Sequence, residues 1–224
     1  YYPYGSKGTD AGQVNDNNIY NISVADQSDP AKLDVLYAKK ENLAKSKTAV
    51  NFQFDHVMSI VTLNVTAGDG ITASDISDLQ ASDVKINGMP FEAELTLQDG
   101  TMTPGTVGTF SPLKASAAQG GAHATFAAII VPQPTGGTNR TVVFTVDGTP
   151  YTWTIPEGDI FASANNYSYP VTVQKSCITV GSPKITKWEE NDNGSGTVEV
   201  IKAVRINAGT FQMGSPDSET GRTS

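Results

Sequence analysis

Two histidines, one cysteine and a scatter of carboxylates are the groups with chemical reach in this 224-residue chain. His56 alternates at period two with Phe52, Phe54, Met58 and Ile60, the position of an imidazole packed into or beside a core. Asp55 falls on the opposite face, so it is badly placed to orient that ring as the acid of a catalytic triad would. His123 follows Gly120-Gly121 at the mouth of an apolar run and reads as a loop residue. Asp26, Asp29, Asp75, Asp78 and Asp83 are hard-cation donors by type, but they lack the compact spacing of a calcium loop, and a solvated acidic surface is the plainer reading. Cys177 stands alone, which excludes an internal disulfide and a paired-cysteine metal site, and it reads as a small apolar strand residue. No nucleophile elbow, P-loop or HExxH string occurs. The expectation is a chain with no catalytic residue, no cofactor and no metal. Asn-x-Ser/Thr triplets at Asn21, Asn64, Asn139, Asn166 and Asn193 arise by chance in a chain this rich in Asn and Thr.

The elements that hold these residues read as β throughout. The organising stretch is residues 50–66, VNFQFDHVMSIVTLNVT. One face carries Phe52 to Ile60, then the apolar phase flips at Ile60-Val61 to Val61, Leu63 and Val65. A bulge, or a strand passing between sheets, would produce that flip, and the stretch is predicted to be the central strand of a β-sandwich. Before it, 19–24 alternates as a strand, 33–38 is a helical turn or an edge strand, and the charged run 39–48 is a linker. After it, Thr72 and Ser74 are candidate caps for one helical turn within 74–82. Asn87-Gly88 favours a tight turn, 91–97 is a strand, and 98–121 is a long Gly/Thr/Pro connection. Residues 125–131 read as a strand buried on both faces. Asp147-Gly148 between two alternating runs is the strongest hairpin signal, and strands at 167–173 and 177–180 come next.

Composition narrows function. The chain is 38% hydrophobic, enough for a core, and Asp plus Glu exceeds Lys plus Arg, for a net charge of −8. No basic patch exists to neutralise phosphates, which argues against nucleic acid. There is no apolar stretch of about 20 residues to cross a bilayer as a helix. A start at Tyr1 with no signal peptide suggests processing or a fragment.

Several strings in order resemble the fimbrillin-like (Mfa-like) pilin family of Bacteroides-type bacteria. They are the aromatic Tyr1–Tyr4, the Asp-x-x-Tyr-Ala segment Asp34–Ala38, the Phe-x-Phe-x-His-x-x-Ser run Phe52–Ser59, Ile129–Gln133, and Asn165–Trp188 with its Tyr-x-Tyr and Ile-x-x-Trp elements. The resemblance implies an all-β, transthyretin-like β-sandwich. It divides the chain into 1–46 (last strands of an N-terminal β domain plus linker), 47–188 (a complete C-terminal sandwich) and 189–224. It also makes Phe52, Phe54, His56, Ser59 and Trp188 structural family markers rather than catalysts. Residues 205–222, with Ala208–Ser215 and Glu219–Arg222, resemble the opening of the formylglycine-generating (sulfatase-modifying) domain family, truncated after a polar spacer.

The function these resemblances imply is non-enzymatic: a cell-surface or extracellular fimbrial structural or adhesion protein, an accessory or tip subunit. It would join other fimbrial subunits by strand donation and meet a host protein or glycan, with membrane attachment only through an N-terminal lipid anchor outside this chain. Two alternatives are a carbohydrate-binding module, if Tyr151, Trp153 or Trp188 form an exposed platform, and the non-catalytic part of a formylglycine-generating-type enzyme.

Overall fold

The computed structural model describes residues 18–43 and 49–188. Its strands in chain order are β1 (Ile19–Ser23), β2 (Leu36–Tyr37), β3 (Asp55–His56), β4 (Ser59–Ala67), β5 (Val84–Pro90), β6 (Glu92–Thr96), β7 (Met102–Pro104), β8 (Val107–Phe110), β9 (Leu113–Lys114), β10 (Ala124–Ile130), β11 (Thr141–Val146), β12 (Thr149–Thr154), β13 (Asn165–Gln174), β14 (Cys177–Val180) and β15 (Lys184–Lys187). Among the described residues one short α-helix, α1 (Ala73–Ser77), and two single turns of 3-10 helix (Pro30–Lys32 and Ala81–Asp83) interrupt them. Thr72 caps α1 reciprocally with Asp75: the Asp75 N–H donates to Thr72 Oγ1 at 3.2 Å, and the Thr72 N–H donates to Asp75 Oδ2 at 2.7 Å.

Two sheets make the sandwich. One runs β14-β13-β4-β10-β9, the other β12-β11-β5-β8. Between them lie Val61, Leu63, Val65, Phe126, Phe144, Tyr167, Tyr169 and their neighbours. The chain is an all-β sandwich, as its alternation predicts. A second core lies on the other side of β4 and β10, where Met58, Ile60, Ile129 and Val131 meet Tyr20, Ile22, Leu33, Val35, Ala93, Leu95 and Trp188. A three-stranded sheet, β1-β6-β7, supplies part of its cover. Residues 18–43 are therefore tied to residues 49–188 by the β1–β6 pairing, by the β2–β3 pairing and by a shared core. The Gln27 side chain adds a tie. Its Nε2 donates to the Ile129 carbonyl at 2.9 Å and its Oε1 accepts from the Ile129 N–H at 2.9 Å, so one amide takes the place of a strand on that edge of β10.

The apparent phase flip at Ile60-Val61 has a different cause from the predicted bulge or sheet crossing. The β4–β10 ladder runs unbroken from Ser59↔Ile130 to Val65↔Ala124. What changes is which face finds apolar cover: Met58 and Ile60 face the second core, while Val61, Leu63 and Val65 face the first. The opposite face of the later half is filled by a polar ladder. Thr62 Oγ1 donates to Asn166 Oδ1 at 3.0 Å, Asn64 Nδ2 donates to Ser168 Oγ at 2.9 Å, and Thr66 and Thr172 share a bond of 3.0 Å. An Asn-x-Ser/Thr triplet on a strand puts both polar residues on one face, and Asn64 and Asn166 spend theirs on this ladder.

Other expectations need correction. Residues 51–54 lie outside any strand, because the backbone at 55–57 pairs with 35–37 before the chain enters β4. Phe52 and Phe54 are consequently exposed, at 38% and 37%. Asn87-Gly88 makes no turn. β5 runs through it with a register shift between Asn87 and Met89 and Gly88 at φ 73°. The span 98–121 contains β7, β8 and β9. Readings on residues 1–17, 44–48 and 189–224, including the aromatic start and the 205–222 string, lie outside the described residues.

Candidate functional site

His56 is held from a direction its own strand does not suggest. Its Nδ1 lies 2.7 Å from Asp34 Oδ1, and both side chains are about nine-tenths buried. The face of the imidazole stacks on the Trp188 indole, with centroids 4.3 Å apart and planes 11° apart. β2 and β3 create the contact by placing Leu36 opposite His56, which carries Asp34 alongside. Three segments remote in sequence thus meet at one stack. The indole belongs to the second core, and His56 and Asp34 lie buried beside it, so the three form a clasp between the segments.

The remaining marker residues are placed separately. Ser59 is fully buried and donates to the Ala162 carbonyl at 2.6 Å. Phe52 and Phe54 touch each other, with centroids 6.3 Å apart. So His56 and Trp188 come together, whereas Phe52 and Phe54 sit on the surface outside both cores. Asp34 is the partner of His56 that sequence reasoning missed. It belongs to the Asp34–Ala38 segment, but 22 residues separate it from His56 and no local spacing links them.

His123 extends the β4–β10 pairing: its N–H donates to the Val65 carbonyl at 2.8 Å, and its Nδ1 accepts from the Ala67 N–H at 2.9 Å. Of the carboxylates weighed as cation donors, Asp26, Asp75 and Asp83 accept from nearby backbone N–H groups and Asp29 pairs with a lysine. Asp26 accepts from the Ser28 N–H at 2.9 Å, which with the Ser28 hydroxyl holds its carboxyl below the usual range. Asp83 accepts from the Gln80 N–H at 2.7 Å, and Asp29 pairs with Lys32 at 3.1 Å. Among the described residues no group of three or more His, Cys, Asp or Glu could hold a metal ion. Cys177 is exposed at the β13–β14 turn rather than packed as an apolar strand residue. Of the aromatics considered as a glycan platform, Tyr151 and Trp188 are buried, and Trp153 is half-buried against Tyr169.

The larger sheet ends in the rim formed by β14 and β15. β13 is paired on one edge with β4, in parallel, and on the other with β14 at Val171–Gln174 and β15 at Asn165–Ser168. All four residues of β15 are exposed, Ile185 at 57%. A profile of the fimbrillin-like family matches residues 1–188, from before β1 to the clasp at Trp188. The chain belongs to the fimbrillin-like family.

Membership supports a structural fimbrial role for this fimbrillin-like chain, at the cell surface or outside the cell. Two crystal structures share its fold. One is a protein provisionally assigned to cell adhesion from Bacteroides uniformis, 22% identical, with a TM-score of 0.63 over 79% of this chain and 69% of that one. The other, with the same provisional assignment, comes from Bacteroides ovatus; it is 23% identical, with a TM-score of 0.59 over 85% of this chain and 67% of that one. At such identity the likeness concerns fold alone. No curated protein matches the chain. The family match ends at Trp188, and no comparison supports a formylglycine-generating-type domain in 205–222.

Proposed function

We propose that this fimbrillin-like chain is a non-enzymatic accessory or tip subunit that joins neighbouring subunits by β-strand addition. The observation that carries the reading is the exposed rim strand β14–β15. It is paired to β13 on one side, and no strand among the described residues pairs with its other side. Strand addition uses such an edge, with main-chain hydrogen bonds for affinity and alternate side chains for specificity. In this reading residues 1–46 close an N-terminal β domain and residues 47–188 form the C-terminal sandwich, with the β1–β6 pairing as their junction. A host protein or glycan would be the target such a subunit meets. The glycan-platform alternative loses its support with Tyr151 and Trp188 buried.

Size-exclusion chromatography with light scattering, followed by electron microscopy, tests the proposal. A ladder of oligomers or filaments is expected, lost when the chain is cut after Val180. Persistent monomer at all concentrations, or a ladder indifferent to that cut, would sink it.

A further inference from the structure

We propose that the Asp34–His56–Trp188 stack is a clip by which residues 33–37 govern the release of β15. The biological consequence rests on the strand-addition reading, since the β15 part of that rim is open to an incoming strand only while β15 stays docked on β13. The coupling itself stands on geometry.

β15 is the one strand among the described residues with no buried or half-buried position. Its backbone pairs with Asn165–Ser168, and its side chains face solvent. Anchorage comes from the next residue. Trp188 is 8% exposed and belongs to the second core, its N–H donates to the Ala164 carbonyl at 2.7 Å, and the Ala164 N–H donates to the Met58 carbonyl at 2.8 Å. The floor beneath the indole is the His56 ring. That ring is oriented by Asp34, from the segment that also places Leu33 and Val35 in the same core. Removing Asp34 leaves the imidazole free to turn and takes away the flat face on which the indole lies. Asp34 is thus a positioning residue for Trp188, and Trp188 is the peg of β15.

β14 occupies the same edge of β13 but is anchored differently. Ile178 and Val180 pack on the first core, to which residues 33–37 contribute nothing. Loosening the clip therefore frees β15 and leaves β14 in place. A general loss of stability would free both together.

Amide hydrogen exchange on the 224-residue chain separates the two cases. In Asp34→Ala and Trp188→Ala, amides at 184–187 are expected to exchange about tenfold faster or more, with 177–180 within about twofold of the parent. Asp34→Asn, whose carbonyl still accepts from His56 Nδ1–H, is expected to restore protection. Unchanged exchange at 184–187 in either alanine variant overturns the clip. So does equal acceleration at 177–180, or failure of Asp34→Asn to rescue. Light scattering on the same samples reads assembly: a parent without oligomers, beside the selective exchange pattern in the variants, would count against strand addition and leave the clip standing.

Discussion

The two imidazoles use Nδ1 in opposite ways. At His56 it faces the Asp34 carboxylate and carries a proton, whereas at His123 it accepts the Ala67 N–H and carries none. Nitrogen-15 correlation spectra should therefore show a protonated Nδ1 at His56 and an unprotonated Nδ1 at His123; the same Nδ1 state in both rings would contradict the geometry. Arg140 is fully buried. Its guanidinium donates to the carbonyls of Pro156 at 2.7 Å and Asp159 at 2.8 Å, and lies 5.4 Å from the centre of the Phe161 ring. Arg140→Ala removes the donor for both carbonyls and opens a cavity, at an expected cost of about 3–5 kcal/mol read as a lower urea midpoint. Lysine should recover part of that loss. Tyr169 gives the pH response. Burial first, then the Asp159 carboxylate, pushes its phenol well above the ordinary range. The fold favours the neutral phenol, so its contribution is whole below about pH 10 and is lost as pH rises beyond that value. Alkaline titration followed at 295 nm should show Tyr169 ionising only with unfolding. A phenol titrating normally in the folded state would refute this.

Elements with a long alternating pattern were legible, and those held by remote partners were not. The hairpin β11–β12 could be read because Asp147 at φ 46° and Gly148 at φ 74° make the turn its residues announce. Asn87-Gly88 carries a similar turn dipeptide but sits mid-strand. Gly88 is needed there because a Cβ would meet the Asn139 carbonyl oxygen at 2.1 Å, a restraint set by a loop some fifty residues on that no local rule contains. Gly88→Ala should cost about 2–4 kcal/mol, from the positive φ and the backbone clash together. A thermal midpoint within a degree of the parent would show that β5 can relax around it. β7, β8, β9 and β15 escaped notice because they are short, polar and mostly edge pieces. In β7, β9 and β15 strand character comes from the neighbour they pair with rather than from a buried face, and β8 buries only Phe110.

For the whole molecule, the sandwich class followed from alternation, but the second core did not. A strand used on both faces looks locally like a strand with a defect, and only the position of residues 18–43 reveals that Met58 and Ile60 have cover of their own. Because β4 and β10 serve both cores, the cores should melt together. Single-tryptophan variants, each keeping Trp153 at the first core or Trp188 in the second, should give thermal transitions that coincide with each other and with far-ultraviolet circular dichroism. Two separated transitions would show that the shared strands fail to link the cores. The marker residues fared unevenly for the same reason: His56 and Trp188 are linked through space, and their distance along the chain hides it.

The parallel pairing of β13 beside β4 has a consequence in time. Bonds such as that between Asn64 and Ser168 span 104 positions, so that edge of β4 has no native partner until nearly the whole sandwich has been synthesised. Closing so large a loop delays the reward for pairing, and topologies of this kind fold slowly. A nascent chain stopped before residue 165 cannot complete the larger sheet, so the first half of the sandwich waits on the last strands to set.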